Sequence, residues 1–354
     1  MKTTFNQISD MKNSGFLRFL PLTVLCFLVY AFTDDESRTI VPEVNYEFSG
    51  GAGHYNYAPS VIQDQYGIRY AFVCQNLEPF KIVDYIYLYK GIPTKDGYKW
   101  QPGTRLVEPS DIGWDINHIC DPDVRAFKTT YQGETYDYIM TYLGTDQWDN
   151  KHNQIGLAIS KNIEGPYIKF DKNPIVPSDD RTKWGVGQST SIVLNDSTIR
   201  LFYSNSSGGF TYRDVILNDL NHIRLGEEKR IAGMGSNNYP AFSEKNCYMV
   251  SERRVNMDTQ IPTWVGNVAE LTYIPLDQDL TKSGDKWIKI GAVTPNESGF
   301  PRNHNPGILT DERGYMLNDD ELIMYFTPAV TGSNWLWSYD MYSARFNLKE
   351  FFSK

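Results

Sequence analysis

Cys120-Asp121-Pro122-Asp123-Val124, followed by Tyr136-Asp137-Tyr138-Ile139-Met140-Thr141-Tyr142, is the stretch on which the fold turns. A polar phrase with Pro opens one β-rich strand, and a second strand returns full of Tyr and Met. The pattern recurs. Tyr57-Ala58-Pro59-Ser60-Val61 precedes Arg69-Tyr70-Ala71-Phe72-Val73, and Gln188-Ser189-Thr190-Ser191-Ile192 precedes Ile199-Arg200-Leu201-Phe202-Tyr203. Asn238-Tyr239-Pro240-Ala241-Phe242 precedes Cys247-Tyr248-Met249-Val250, and Asn305-Pro306-Gly307-Ile308-Leu309 precedes Leu322-Ile323-Met324-Tyr325-Phe326. Repeats spaced by roughly 50 to 70 residues signal stacked or ring architectures. Five copies predict an all-β, five-bladed β-propeller with four-stranded antiparallel blades around a central channel. In the second copy the four strands read as 119–127, 134–143, 154–160 and 167–170. Residues 39–48 are expected to supply the strand that the last copy lacks, making 39–354 one closed domain without open edges.

Bulk properties narrow the function. The chain has 354 residues, a net charge of −9 and no run of Lys or Arg. A nucleic-acid partner needs a basic stripe and is excluded on that ground. No protein partner is implied. Residues 1–31 read as a signal peptide: Lys12 and Arg18 lead into an apolar run too short to span a membrane comfortably. An uncleaved anchor, or lipid attachment at Cys26, is the alternative; export to the periplasm, cell surface or medium is expected in each case. Cys74, Cys120 and Cys247 then remain, an odd number falling in three blades, and are expected to be unpaired buried thiols. No Cys/His spacing resembles a zinc site.

Inner strands of a propeller begin near the channel, so the five opening phrases should meet on one face. That places His54, Tyr57, His118, Asp121, Asp123, Gln188, Arg302 and His304 around one funnel, joined from the second strand of the fourth blade by Glu252 and Arg253. Tryptophans of the loops, Trp114, Trp148, Trp184, Trp264, Trp335 and Trp337, form its rim. Amides, carboxylates and imidazoles beneath aromatic platforms suit a hydroxyl-rich carbohydrate. No cofactor is required; a structural calcium ion in the channel is left open.

The openings, together with Ile155-Gly156-Leu157-Ala158-Ile159-Ser160 and Gly165-Pro166-Tyr167, resemble the five-bladed propeller glycosidases of glycoside hydrolase family 43 and its relatives. That resemblance implies an inverting hydrolase. An Asp base stands in blade one, a second Asp in blade two and a Glu acid in blade three. Asp121 matches the blade-two Asp, whereas Tyr57 stands at the blade-one position and Gln188 at that of the acid. Inversion needs a carboxyl pair roughly 6.5–9.5 Å apart. The expected pair is therefore Asp121 and Glu252, with Asp123 as a further carboxylate. Glu252 would protonate the leaving group, while His304, Arg253 and Gln188 position the sugar. His54, His118 or His304 could serve as the acid instead, as in relatives that use a His. Two other readings stay open: a carbohydrate-binding propeller without catalysis, and a glycoside phosphorylase in which Arg253, Arg254 and Arg302 clamp phosphate.

Overall fold

The computed structural model describes residues 39–353, apart from 208, 236, 257–264 and 333. The expected signal segment and Trp264 lie outside the described residues. Five antiparallel runs follow one another. The first comprises β2 (Tyr57–Gln63), β3 (Arg69–Asn76), β4 (Asp84–Thr94) and β5 (Gly97–Trp100), with β6 (Thr104–Val107) also on β4. The second is β7 (His118–Tyr131), β8 (Glu134–Thr145), β9 (Gln154–Ser160) and β10 (Ile168–Lys169). The third is β11 (Val186–Asn195), β12 (Thr198–Asn205) and β13 (Gly209–Ile216), which carries both β14 (Arg224–Leu225) and β15 (Lys229–Arg230). The fourth is β16 (Asn238–Phe242), β17 (Asn246–Arg253), β18 (Val268–Pro275) and β19 (Ile288–Val293). In the fifth, β20 (Arg302–Asp311), β21 (Glu321–Ala329) and β22 (Met341–Asn347) are completed by N-terminal β1 (Glu43–Phe48), which pairs antiparallel with β22.

Hydrogen bonding groups these runs into four sheets, not five. The first and fifth merge into one nine-stranded sheet because β2 and β20 pair in parallel at Val61↔Leu309, Ile62↔Thr310 and Gln63↔Asp311. Gly307 permits that approach, since a Cβ there would meet the Pro59 carbonyl oxygen at 2.3 Å.

The pleat explains how the runs pack. Alternate residues of each strand point to opposite faces, so Val61 joins Tyr325 and Leu309 while Ile62 joins Met140 and Val124. Apolar clusters accordingly lie between runs one and two, two and three, three and four, four and five, and five and one. Each run buries both faces against its neighbours in sequence, and the series closes on itself.

The strand entrances share a further device. Ala58, Asp121, Gln188, Asn237 and Asn305 all have left-handed backbone, with φ of 50°, 47°, 51°, 62° and 46°. Non-glycine residues rarely adopt it. Four of the five sit in register shifts, between Tyr57 and Ser60, Cys120 and Asp123, Gly187 and Thr190, and His304 and Gly307. A bulge of this kind bends the strand and re-aims one side chain. It also fixes the correspondence between repeats: Ala58, not Tyr57, is the counterpart of Asp121, since each precedes the Pro of its opening.

Candidate active site

The five left-handed residues line a narrow cavity of about 30 Å³ together with the residues that follow them. Asp121, Gln188, Asn237 and Asn305 also belong to a wider cavity of about 720 Å³, to which all five runs contribute. Of the residues expected at the site, Tyr57, His118, Asp121, Trp184, Gln188, Glu252, Arg253 and His304 line the wider cavity.

Asp121 is held from two sides. Its backbone N–H points to Cys74 Sγ at 3.0 Å, and its Oδ2 accepts the Gln188 backbone N–H at 3.2 Å. Burial pushes its carboxyl up to about 7, against the pull of the Gln188 N–H and with added push from nearby Asp84. The sulfur belongs to a disulfide. Cys74 and Cys120 are bonded with Cα atoms 5.2 Å apart, which corrects the expectation of unpaired thiols; Cys247 alone of the three is free and buried. The bond joins β3 of the first run to β7 of the second.

Glu252 is more tightly engaged. Its Oε2 lies 2.7 Å from His304 Nδ1 and accepts the Asn305 backbone N–H at 2.9 Å; Asn237 Nδ2 and the Gly266 N–H complete the set. Three of these contacts converge on Oε2 and one, from the Gly266 N–H, reaches Oε1, so the carboxyl group is held beside the His304 ring. Glu252, expected as the proton donor, thus stands against the Nδ1 side of the His304 ring.

Asp123 is a second correction. Its carboxylate is fully buried, 2.7 Å from Arg125 Nη2, and accepts from Ser191 Oγ at 2.6 Å, Tyr239 Oη at 2.9 Å and Thr190 Oγ1 at 3.2 Å. These partners tie runs two, three and four together away from the cavity. Arg302 is buried behind the wall, stacked over Trp335 at 4.4 Å with Nη2 donating to Tyr339 Oη at 3.3 Å. His54 is half-buried in a loop, with Nδ1 3.1 Å from the Asn76 carbonyl. Trp114 packs over Gly144 and Gly156, where a Cβ would meet its ring at 2.5 and 2.6 Å. None of these four lines the cavity.

Residues not anticipated include Asp84, Thr145, Asn153 and Asn205, which also line it. They come from the start of β4, the end of β8, the residue before β9 and the end of β12, not from inner-strand openings, and no repeat motif marks them. Cys120, Leu143, Tyr57 and Trp184 give the cavity an apolar side, while Asn153, Asn205, Asn237 and Asn305 give it an amide-rich one. Such a pairing suits a sugar ring, whose C–H face and hydroxyl edge differ in polarity.

No protein-family model matches the chain, and no curated protein matches it by sequence. Its shape does match solved structures. A glycoside hydrolase of family 62 in complex with xylotriose aligns with a TM-score of 0.57 at 8% identity, covering 87% of this chain and 98% of that one. A family 117 glycoside hydrolase of the marine bacterium Zobellia galactanivorans aligns with a TM-score of 0.56 at 12% identity, covering 87% and 90%. A GH43_1 enzyme from Xanthomonas citri, complexed with xylotriose, gives 0.52 at 12% identity, covering 85% and 90%. The chain has the β-propeller fold of these glycoside hydrolases, similar to that of family 43.

Proposed function

We propose that the chain is an exported, five-bladed propeller glycoside hydrolase that acts on a poly- or oligosaccharide bound in the wider cavity. The five runs, each packed on the next, support the blade count. The Cys74–Cys120 disulfide supports export, because such bonds persist in oxidising compartments. Catalysis rests on one observation: the Glu252–His304 dyad and the lightly bonded Asp121 line the same cavity.

Asp121 is the general base. It takes a proton from water as the water oxygen bonds to the anomeric carbon, and the glycosidic C–O bond breaks. His304, oriented through Nδ1 by Glu252, gives its proton to the leaving oxygen. A calcium ion in the narrow cavity belongs to the same proposal. Hard cations take oxygen ligands, and Gln188 Oε1 is buried there without a hydrogen-bond partner among the described residues. Metal analysis of protein purified without chelator tests that part.

Ala58 and Gln188 at the repeat positions of Asp121 favour the second reading, binding without turnover. A panel of neutral and acidic oligosaccharides, with and without phosphate, separates the cases. New reducing ends, lost in Asp121→Asn and His304→Asn, support hydrolysis. Calorimetric binding without products supports a binding module, and a sugar phosphate formed only with phosphate supports a phosphorylase.

A further inference from the structure

We infer that the wider cavity takes an acidic sugar, one bearing a carboxylate or a sulfate, and that Arg253 receives its anionic group. This rests on reading the cavity as a carbohydrate site.

Arg253 ends β17 and lines the cavity. Its Nε donates to Glu270 Oε1 at 3.1 Å, and Lys289 Nζ lies 3.7 Å from the other oxygen of Glu270. One edge of the guanidinium is thereby anchored on β18. Its Nη1 and Nη2 make no hydrogen bond or ion pair among the described residues. A guanidinium held at Nε and open at both Nη atoms presents a planar fork, the geometry that takes an oxyanion by two parallel bonds.

A second observation puts positive charge on the same wall. Arg302 and His304 are two residues apart on β20, before its register shift, and so share a face of the strand. Both lie against one ring: His304 is 5.7 Å and the Arg302 guanidinium 5.9 Å from that of Tyr339. Arg302 therefore stands directly behind the residue that lines the cavity. It is fully buried, its Nε and Nη1 have no partner, and it makes no ion pair among the described residues. A buried charge without a counter-ion is costly, and an anion in the adjoining cavity offsets part of that cost. Arg254 lines the cavity beside Arg253, with Nη1 donating to the Val265 carbonyl at 3.3 Å. Three guanidinium groups and Lys289 thus face two carboxylates, Glu252 and Glu270, on this side. The remaining wall carries Asp84, Asp121 and Asp149, the last paired with Lys151. A neutral ring gains little from such a separation of charge. A sugar with one anionic group is oriented by it, the group turned to Arg253 and away from Asp84 and Asp121.

An oxyanion at Arg253 could instead be free phosphate, so the test carries both. Calorimetry on the full chain uses oligogalacturonides, glucuronate-bearing xylo-oligosaccharides and sulfated galactan oligosaccharides, each against its carboxyl-reduced or desulfated counterpart, and inorganic phosphate alone. One acidic chain should bind at least about tenfold tighter than its neutral counterpart, and Arg253→Gln should bring that ratio close to one. The ratio should also shrink as salt rises from about 0.01 to 1 M. If Arg253→Gln does not fold, this salt dependence in wild type decides, and a ratio indifferent to salt overturns the inference. Neutral chains binding as well as acidic ones overturn it and leave the carbohydrate reading standing. A preference that survives in Arg253→Gln overturns the assignment to Arg253. Phosphate binding that is lost in Arg253→Gln, without preference among the sugars, gives the site to phosphate and overturns the inference. Wild type that binds nothing in the panel overturns it together with the carbohydrate reading.

Discussion

His304 Nδ1 lies 2.7 Å from Glu252 Oε2, and the same carboxylate carries the backbone N–H of Asn305, the residue that follows the histidine. One side chain thus fixes both the ring and the strand entrance that presents it. Glu252→Gln keeps the shape but turns an NH2 toward groups that are themselves donors. Turnover is expected to fall about 10²- to 10⁴-fold, as for loss of a positioned acid, with sugar affinity nearly retained. Kinetics on Glu252→Gln and His304→Asn check this; full turnover in either removes the dyad from the mechanism.

Asp121 gives a pH dependence with a definite sign. Its carboxyl is raised by burial to about 7 when folded, from an ordinary value of 3.8. The folded state therefore binds a proton between those limits that the unfolded chain has released. Its contribution to stability is full below pH 4 and is lost as pH rises through about 7. Asp121→Asn should consequently gain on wild type by up to a few kcal/mol between pH 4 and 8. Urea unfolding across that range measures the difference. As a base, Asp121 must be ionised, so kcat/KM should drop below about pH 7 in wild type.

The openings are legible because Pro, Asp, Asn or a Ser/Thr run marks each strand entrance, and they supply part of the cavity wall. Local backbone misled the rest. Asp121 and Asp123 share a face if the strand keeps its period of two, but the bulge between Cys120 and Asp123 breaks that period. One carboxylate turns to the cavity and the other to Arg125. Cys120, the residue before Asp121, pairs with Cys74 across two runs, and membership of different runs does not by itself reveal such a pairing. Asp84 stayed hidden because it enters from a third strand, outside the repeated phrase. Ala58, not Tyr57, answers to Asp121, as the Pro that follows each of them and their shared left-handed backbone both indicate.

The buried Asp123–Arg125 pair predicts a stability effect without a change in binding. Arg125 is fully buried and also donates to the Ser191 carbonyl at 2.6 Å and the Val124 carbonyl at 2.8 Å. Removing its anion leaves an uncompensated charge in the interior, which costs about 3–5 kcal/mol. Asp123→Asn should lower the denaturation midpoint accordingly, while any folded fraction keeps its affinity for sugar. Equal stability of Asp123→Asn and wild type in chemical denaturation would contradict the placement of this pair.

The Cys74–Cys120 bond joins positions 46 residues apart and ties the first run to the second beside Asp121. Closing a loop of that length in the unfolded chain stabilises the fold by about 2–4 kcal/mol. Two effects should separate on its removal. Cys74→Ser with Cys120→Ser should lower the unfolding midpoint. It should also loosen Asp121, whose N–H loses its sulfur acceptor, so turnover should fall by more than affinity for sugar does. Thiol reductant should act on wild type in the same direction and leave the double variant unchanged. A reductant effect of equal size in both would trace the loss to something other than this bond, since Cys247 is buried between the third and fourth runs and remains in each.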